Sequence, residues 1–375
     1  MKIAQIAPLA ESIPPKLYGG TERIVSYLTE ELVSQKHDVT LFASADSRTK
    51  ARLVPACESA LRLSSRRIID PIAHYIRLLE SVFKYADEFD VLHFHIDYLH
   101  FPLTRRQLIP AVTTLHGKLT IPDLVPLYRE YFDMQVVSVS DSQRQPLPWI
   151  GWSGTVYHGL PKDLYHFQSQ PGQYLAFIGR ISPEKRPDRA IEIAKRTGVQ
   201  LKIAAKVDET DEAYFQEEIK PLLEHSSFIE FIGEINEREK DEFLGNALAL
   251  LFPIDWPEPF GLVLIEAMAC GTPIIAFRNG SVPEIVDDSR TGFVVDTLEE
   301  AITAVQKIDS IDRRICRAAF EERFTARRMA QDYLAIYEKI GLGKGEEPMH
   351  ICNGFDARPG PFEDEYTSIE NRREQ

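Results

Sequence analysis

Short runs of β-branched and apolar residues alternate with amphipathic segments along most of the chain. This alternation is typical of parallel sheets that are covered by helices. Residues 21–35 place Ile24, Leu28 and Leu32 on one face, which predicts a helix between the first two strands. In the first half the apolar runs predict strands at 2–7, 38–43, 91–95, 111–115 and 135–139.

The pattern begins again after residues 158–172, a turn-rich segment whose prolines and glycines indicate a linker. Strands are predicted at 174–178, 201–205, 228–232, 249–252 and 273–277, with helices at 188–196, 211–223, 237–247 and 262–269. Helical patterns alone follow, at 298–308, 312–322 and 329–340. The fold class is therefore α/β, with two Rossmann-like halves that share no detectable sequence repeat. Residues 341–375 are charged and poor in apolar periodicity, which predicts a disordered tail.

Composition and charge narrow the kinds of molecule that the chain can bind and the compartment in which it works. The 375 residues carry a net charge of −14, which opposes nonspecific binding to nucleic acid. Four scattered cysteines without a Cys-x-x-Cys pair indicate a reducing cytoplasm and no structural metal. The N-terminus lacks the pattern of a signal peptide, and no apolar run reaches the roughly 20 residues of a membrane span. Basic residues at 62–67 leave peripheral membrane contact open, although a solvated helix end is the favoured interpretation.

The segment EPFGLVLIEAMACGTPIIA, residues 258–276, follows a predicted strand, and ligands of open α/β sheets lie beyond strand ends. A helix starting near Phe260 would separate the carboxylates of Glu258 and Glu266 by about 12 Å along its axis. This separation suits the sugar and the ribose of a nucleotide sugar. Free N–H groups of Gly261 and Leu262 could receive its diphosphate. The simpler alternative is a helix-terminal charge and a solvated or ion-paired glutamate.

A second loop, GRISPEKRP at 179–187, follows the first strand of the second half. Arg180 and Lys185 lie on opposite sides of a turn and could converge on a diphosphate. Such a cationic pair would stabilise a departing nucleoside diphosphate. A solvated charged turn built on Ser182 and Pro183 is the alternative.

The first helix is preceded by the segment YGGTER, residues 18–23. The glycine pair Gly19 and Gly20 would let this helix start approach a phosphate or an acceptor from across a cleft. The segment is not a dinucleotide-binding fingerprint, since it lacks Gly-x-Gly-x-x-Gly after the first strand. The alternative is a plain helix-opening turn with Thr21 as the N-cap, which is also compatible with a functional role.

Histidines follow the strands of the first half in HFHID, 93–97, and TLHG, 114–117. A histidine in such a loop can bind a sugar hydroxyl or orient an acceptor, and His116 has the most favourable position. His93 and His95 alternate along a strand, so at least one of them is expected to be buried and structural. His158 is expected to shape the linker between the two halves.

Taken together, GGTER, the histidine after the fourth strand, GRxxxEKR and Glu-x7-Glu resemble the retaining glycosyltransferases of family 4, which have the GT-B fold. The likeness runs from residue 1 to about residue 340. It implies two Rossmann-like α/β/α domains facing a central cleft, with the acceptor on the N-terminal domain and the nucleotide sugar on the C-terminal one. The implied bounds are 1–160 with a returning helix at 324–340, then 172–322, then the tail at 341–375.

The resemblance also implies roles for individual residues. Arg180 and Lys185 would bind the diphosphate, Glu258 the donor sugar and Glu266 the ribose. His116 aligns with a histidine that contacts the transferred sugar. The expected catalytic residues are His116, Arg180, Lys185 and Glu258. The expected donor-binding residues are Gly19, Gly20, Arg180, Lys185, Gly233, Glu258, Phe260, Gly261, Leu262 and Glu266, and the expected acceptor-binding residues are His95 and His116.

Two positions depart from the family pattern: Arg186 stands where a glycine is usual, and His158 precedes Gly159 where an Asn-Gly pair is frequent. Neither change removes an expected charge partner. The resemblance implies a cytoplasmic, metal-independent hexosyltransferase whose donor is a nucleotide sugar and which needs no cofactor.

The expected donor is UDP-glucose, with GDP-mannose as the second choice. The expected acceptor is a glycan, a lipid-linked precursor or a small molecule such as a pterin. The alternatives are a sugar-nucleotide epimerase or a phosphorylase of the same architecture, and a catalytically silent nucleotide-sugar-binding protein.

Overall fold

A computed structural model describes residues 1–16, 19–224, 226 and 228–342. The tail predicted at 341–375 lies outside the described residues except for its first two positions, which continue the last helix. The strands in this part of the chain are β1 (Lys2–Ile6), β2 (Asp38–Ser44), β3 (Arg52–Cys57), β4 (Val91–Phe94), β5 (Ala111–Thr114), β6 (Val136–Ser138), β7 (Trp152–Thr155), β8 (Tyr174–Arg180), β9 (Gln200–Lys206), β10 (Ile229–Gly233), β11 (Ala247–Phe252), β12 (Ile274–Phe277) and β13 (Gly292–Val295).

These strands form two parallel sheets, which confirms the predicted α/β class. The first sheet has the order β3-β2-β1-β4-β5-β6-β7 and the second the order β10-β9-β8-β11-β12-β13. In each sheet the order reverses beside the first strand, so the chain leaves a crevice at the carboxyl ends of the central strands. Three strands that the sequence patterns did not predict, β3, β7 and β13, all lie at sheet edges. Edge strands carry a weaker apolar signal because fewer of their residues are buried.

The helices in the described residues are α1 (Gly20–Ser34), α2 (Pro71–Lys84), α3 (Phe101–Thr104), α4 (Leu124–Glu130), α5 (Asp141–Arg144), α6 (Pro187–Thr197), α7 (Glu212–Tyr214), α8 (Lys220–Glu224), α9 (Glu237–Gly245), α10 (Leu262–Cys270), α11 (Val282–Ile285), α12 (Leu298–Lys307), α13 (Arg313–Arg323) and α14 (Ala326–Leu342). The single helix predicted at 211–223 is instead divided by a π-helical turn at Phe215–Ile219. Helix α2 was not predicted, although Asp70 caps it and Pro71 begins it. None of these helices is long and apolar enough to cross a membrane.

Helix α1 packs on the first sheet through Ile24, Leu28 and Leu32, which are fully buried as the apolar spacing predicts. At the other end of the chain, α14 returns to the same sheet. Its Tyr333 and Tyr337 are completely buried and hydrogen-bonded to groups on β5 and β4. A β-bridge between Leu160 and Thr325 ties the segment before this helix to the linker. The last helix therefore supports the strands whose ends carry the histidines.

Candidate active site

A cleft of about 1410 Å³ lies between the loops at the carboxyl ends of the two sheets. Its volume exceeds the roughly 300–1,000 Å³ of pockets for small ligands, so it has room for two substrates. Among the described residues its walls carry eight Lys or Arg and seven Asp or Glu side chains. The cleft therefore lacks the strong negative charge of the whole chain, which is −14, and can accept an anionic ligand.

Glu258 and Lys185 meet in this cleft although 73 positions separate them in the sequence. The Lys185 ammonium donates to Glu258 Oε2, and the indole N–H of Trp256 donates to the same oxygen at 3.0 Å. Lys185 Nζ also lies 4.8 Å from the Trp256 ring centroid, within range of a cation–π contact. Both charged side chains are mostly buried, so the pair is held in a fixed place at the cleft wall.

The backbone of Glu258 is held by the turn at Gly280 and Ser281, which the sequence reasoning missed. Ser281 N donates to Glu258 O at 3.0 Å, and a Cβ at position 280 would lie 2.3 Å from Glu258 N and O. Gly280 also has φ +56°, in the left-handed region that favours glycine. This glycine therefore allows the close approach that positions the carboxylate.

Arg180 lies among three carboxylates. It donates to Glu184, and its guanidinium nitrogens lie 3.2 Å from Asp211 and 3.8 Å from Asp208. The side chain remains about one-third exposed at the cleft wall, with a relative exposure of 37%. A bound diphosphate would therefore have to compete with these carboxylates for Arg180.

The structure explains the departure at position 186. Arg186 has φ +53° and ψ +52°, the left-handed conformation for which a glycine is the usual residue. Its guanidinium holds Asp188 with three hydrogen bonds, Nε to Oδ1 at 2.9 Å, Nε to Oδ2 at 3.1 Å and Nη2 to Oδ2 at 2.7 Å. It also donates to Asp255 at 2.9 Å. The turn that carries Lys185 is thus kept despite the substitution.

The helix predicted at 262–269 is confirmed by α10, whereas the start near Phe260, used for the spacing of the two carboxylates, is too early. Gly261 has φ +82° and stands just before the first helical residue, so the chain cannot be helical at 260–261. Phe260 is buried, with its ring 4.8 Å from that of His158. Gly261 and Leu262 still line the cleft, where the free N–H groups of the helix start are available to an anion.

Glu266 is nearly inaccessible, with 1% of the residue exposed, and it is ion-paired rather than solvated. Arg23 Nη1 lies 2.5 Å from Oε1, and Lys240 Nζ lies 3.4 Å from both carboxylate oxygens. Burial alone would raise the pKa of Glu266, but Lys240 and Arg23 lower it to about 2. The carboxylate expected to bind the ribose is therefore charged and already held by two cations, which sequence reasoning did not identify.

The glycine pair before α1 differs in one detail from the prediction. Helix α1 starts at Gly20 with Gly19 as its N-cap, and no side chain caps it, so Thr21 is not the cap. Gly19 and Gly20 both line the cleft, and a Cβ on Gly20 would lie 3.6 Å from Leu262. Gly233 ends β10 and is not among the described residues that line the cleft, whereas the adjacent Glu234 is.

Of the four histidines singled out in the sequence, two reach the cleft and two do not. His116 and His158 line it, with their rings 5.4 Å apart and nearly parallel. His93 and His95 are buried inside the sheet, and both ring nitrogens of each are hydrogen-bonded within the protein. Neither ring nitrogen of His95 is free in this structure, since Nδ1 meets His116 and Nε2 meets Gln5. His158, expected only to shape the linker, is instead part of the cleft wall.

Other candidate chemistry is limited in the described part of the chain. It contains no group of three or more His, Cys, Asp or Glu side chains arranged to hold a metal ion. Cys57, Cys270 and Cys316 are all free thiols. Burial raises the pKa of Cys316 to about 12, so this thiol is poorly suited to act as a nucleophile.

The two parallel sheets and the cleft between their carboxyl ends have the architecture of the GT-B fold. The family model for glycosyltransferase family 4 matches residues 18–145, and the model for glycosyl transferases group 1 matches residues 166–316. The chain belongs to this family and is a glycosyltransferase of the family 4, GT-B type.

Relatives and solved structures span nearly the whole chain. The spore coat protein SA of Bacillus subtilis (strain 168) is 23% identical over 90% of this chain and 100% of its own. A phosphatidyl-myo-inositol mannosyltransferase of Mycolicibacterium smegmatis is 25% identical over 91% of this chain and 92% of its own. The crystal structure of Anabaena Alr3699/HepE in complex with UDP-glucose superposes with a TM-score of 0.68. It is 17% identical and covers 90% of this chain and 100% of its own, which shows a shared fold.

Proposed function

We propose that this glycosyltransferase moves a hexose from a nucleoside diphosphate sugar to an acceptor hydroxyl with retention of the anomeric configuration. The observation that carries the proposal is the Lys185–Glu258 pair, which stands in the cleft just before the free N-terminus of α10. One ammonium, one carboxylate and one helix start together match the charges of a diphosphate and a sugar.

Each part of the donor has a partner in this arrangement. The diphosphate lies at Gly261 and Leu262, between Lys185 and Arg180. The sugar hydroxyls donate to Glu258, which Lys185 and Trp256 hold in place. The ribose hydroxyls meet the cleft near Glu266.

The chemistry follows from the same charges. The bond between the sugar C1 and the phosphate oxygen breaks, and negative charge grows on the departing diphosphate. Lys185 and Arg180 stabilise that charge, so the chain's own cations perform the task that a metal ion has in other enzymes. The acceptor oxygen bonds to C1 on the same face, and its proton passes to a phosphate oxygen of the donor. Glu258 orients the sugar and forms no covalent intermediate.

UDP-glucose is the donor we propose first, and the HepE complex with UDP-glucose supports it. GDP-mannose stands second, supported by the mannosyltransferase relative. The acceptor is a glycan or another molecule rich in hydroxyl groups, bound on the side of the cleft formed by His116, His158 and Lys118.

A donor screen tests this proposal. The melting temperature of the purified chain is measured with UDP, GDP and ADP and their sugars, with and without EDTA. We expect one nucleotide to stabilise the chain selectively, EDTA to leave this unchanged, and slow release of an α-configured sugar from the matching donor, as seen by proton NMR. Release of a β-configured sugar would refute retention, and release that stops in EDTA would refute metal independence.

The same screen separates the rival activities. A free epimer formed from the donor without an acceptor would indicate an epimerase, and a strict requirement for inorganic phosphate would indicate a phosphorylase. Nucleotide binding without turnover with any acceptor would indicate a silent binding protein.

A further inference from the structure

A row of hydrogen bonds runs from the last helix through the first sheet to the cleft. Gln5 Nε2 lies 3.2 Å from the Tyr337 hydroxyl, and Gln5 Oε1 lies 2.8 Å from His95 Nε2. His95 Nδ1 in turn lies 2.9 Å from Nε2 of His116. Gln5, His95 and Tyr337 are buried, and His116 alone of this row lines the cleft.

The orientation of the Gln5 amide determines which ring nitrogens of His95 and His116 carry protons. In the structure the Gln5 nitrogen is placed to donate to Tyr337, and in this orientation its oxygen accepts from a proton on Nε2 of His95. Burial lowers the pKa of His95 well below its ordinary value, so the ring is neutral and carries that one proton. Nδ1 of His95 is therefore an acceptor, and the proton between the two rings belongs to Nε2 of His116.

The other ring nitrogen of His116, Nδ1, is unprotonated. Burial lowers the pKa of His116 to about 3, so this ring is also neutral and has no second proton. Its Nδ1 is buried and has no hydrogen-bond partner among the described residues. A buried acceptor without a donor is unfavourable, so a ligand that brings an O–H or N–H group to this point gains by satisfying it.

We infer that Gln5 and His95 are positioning residues that hold His116 in the Nε2–H tautomer, so that its Nδ1 accepts a hydrogen bond from a hydroxyl of the bound sugar. This inference rests on the proposed function for the identity of the ligand. The ring is also fixed sterically, because His158 stacks on His116 at 5.4 Å and Phe260 contacts His158 edge-on at 4.8 Å. A histidine locked in this way selects a hydroxyl donor and rejects a group that can only accept.

The tautomer can be read without any ligand. In protein labelled with ¹⁵N-histidine, long-range ¹H–¹⁵N correlation spectra distinguish a protonated from a bare ring nitrogen, and the variant His116→Asn assigns the signals. We expect protonated Nε2 and bare Nδ1 for both His95 and His116. A proton on Nδ1 of His116, or averaging between the tautomers, would overturn the inference.

Two variants of His95 separate positioning from packing. His95→Asn keeps an oxygen acceptor near the former Nδ1, whereas His95→Leu removes it and leaves Nε2–H of His116 without a partner. His100→Leu is the matched control, because His100 is equally buried and hydrogen-bonded to Thr104 and Thr113 but stands outside the row.

The readout is the ratio of the dissociation constants for UDP-glucose and UDP, with GDP-mannose and GDP used instead if the donor screen selects guanine. We expect His95→Leu to weaken sugar-nucleotide binding about tenfold relative to the nucleoside diphosphate, the loss of roughly one hydrogen bond. His95→Asn and His100→Leu should leave this ratio within about threefold of the wild-type value.

An unchanged ratio in His95→Leu would overturn the sugar contact even if the NMR tautomer is as expected. A wild-type chain that binds neither nucleotide sugars nor nucleoside diphosphates would refute the proposed function and the sugar contact together. The NMR assignment of the His116 tautomer does not depend on that result, so the two failures are distinguishable.

Discussion

Arg23 donates a hydrogen bond of 2.5 Å to Glu266, and this contact joins helix α1 of the first domain to helix α10 of the second. The same guanidinium holds Glu237 at 2.6 Å and the Tyr165 hydroxyl at 3.1 Å. The carboxylate that we assign to the ribose is thus bound to a residue from across the cleft. Donor binding and domain contact therefore share one side chain.

Removing this contact should lower stability substantially. Arg23→Gln leaves the buried Glu266 with Lys240 as its remaining cation, and breaking a buried ion pair typically costs about 3 kcal/mol or more in the free energy of unfolding. Urea denaturation at neutral pH measures the loss. The control is Arg52→Gln, whose pair with Glu88 is more than half exposed and should contribute less than about 1 kcal/mol. Equal midpoints for the two variants would contradict the role of Arg23.

The turn at Gly280 should matter for activity. A Cβ in Gly280→Ala would lie 2.3 Å from the backbone of Glu258 and displace this residue, so we expect turnover to fall by on the order of 10- to 100-fold. Gly198→Ala is the matched control, since Gly198 has a similar φ of +71° but open space around it. It should lose about 1 kcal/mol of stability and keep normal turnover. Full activity in Gly280→Ala would show that the position of Glu258 is not critical.

Acid should destabilise the fold before most carboxylates titrate. Among the described residues, burial lowers the pKa of six histidines. It lowers the pKa of His116 to about 3, that of His37 below its ordinary value, and that of the remaining four well below it: His93, His95, His100 and His158. Since the unfolded chain binds protons near pH 6.5 and the folded one does not, stability is full above about pH 6.5 and falls below it. Each histidine contributes up to about 1.4 kcal/mol per pH unit.

Carboxyls with raised pKa act in the opposite direction but are fewer, namely Asp97, Glu11 and Glu22. We therefore expect the urea midpoint to drop between about pH 7 and pH 5. A midpoint that stays constant or rises over this range would contradict the assignment of neutral buried histidines.

The sequence was sufficient for the central strands and for several of the residues that line the cleft, because both follow local rules. Buried parallel strands are continuous apolar runs, and ligand-binding residues follow such strands. Arg180, Lys185, Glu258 and His116 were found in this way, and the structure brings them into one cleft.

Contacts between distant segments left little local signal. Gly280 lies in a turn whose role is visible only when Glu258 is placed against it. In the sequence Gln5 is only a polar residue in a strand. Its role depends on hydrogen bonds to His95 and Tyr337, which belong to two other elements. The one available hint for Arg23 was a charged residue within the amphipathic helix α1, in the GGTER motif.

The central claim is that Lys185 and Arg180 stabilise the departing diphosphate, and single-turnover transfer by Lys185→Ala and Arg180→Ala tests it most directly. With the donor selected by the screen, and with EDTA present, we expect each variant to be slower by on the order of 100- to 1,000-fold. Arg196→Ala is the control, because Arg196 pairs with Glu299 on the surface outside the cleft and should leave the rate unchanged. Near-normal rates in both Lys185→Ala and Arg180→Ala would contradict the account.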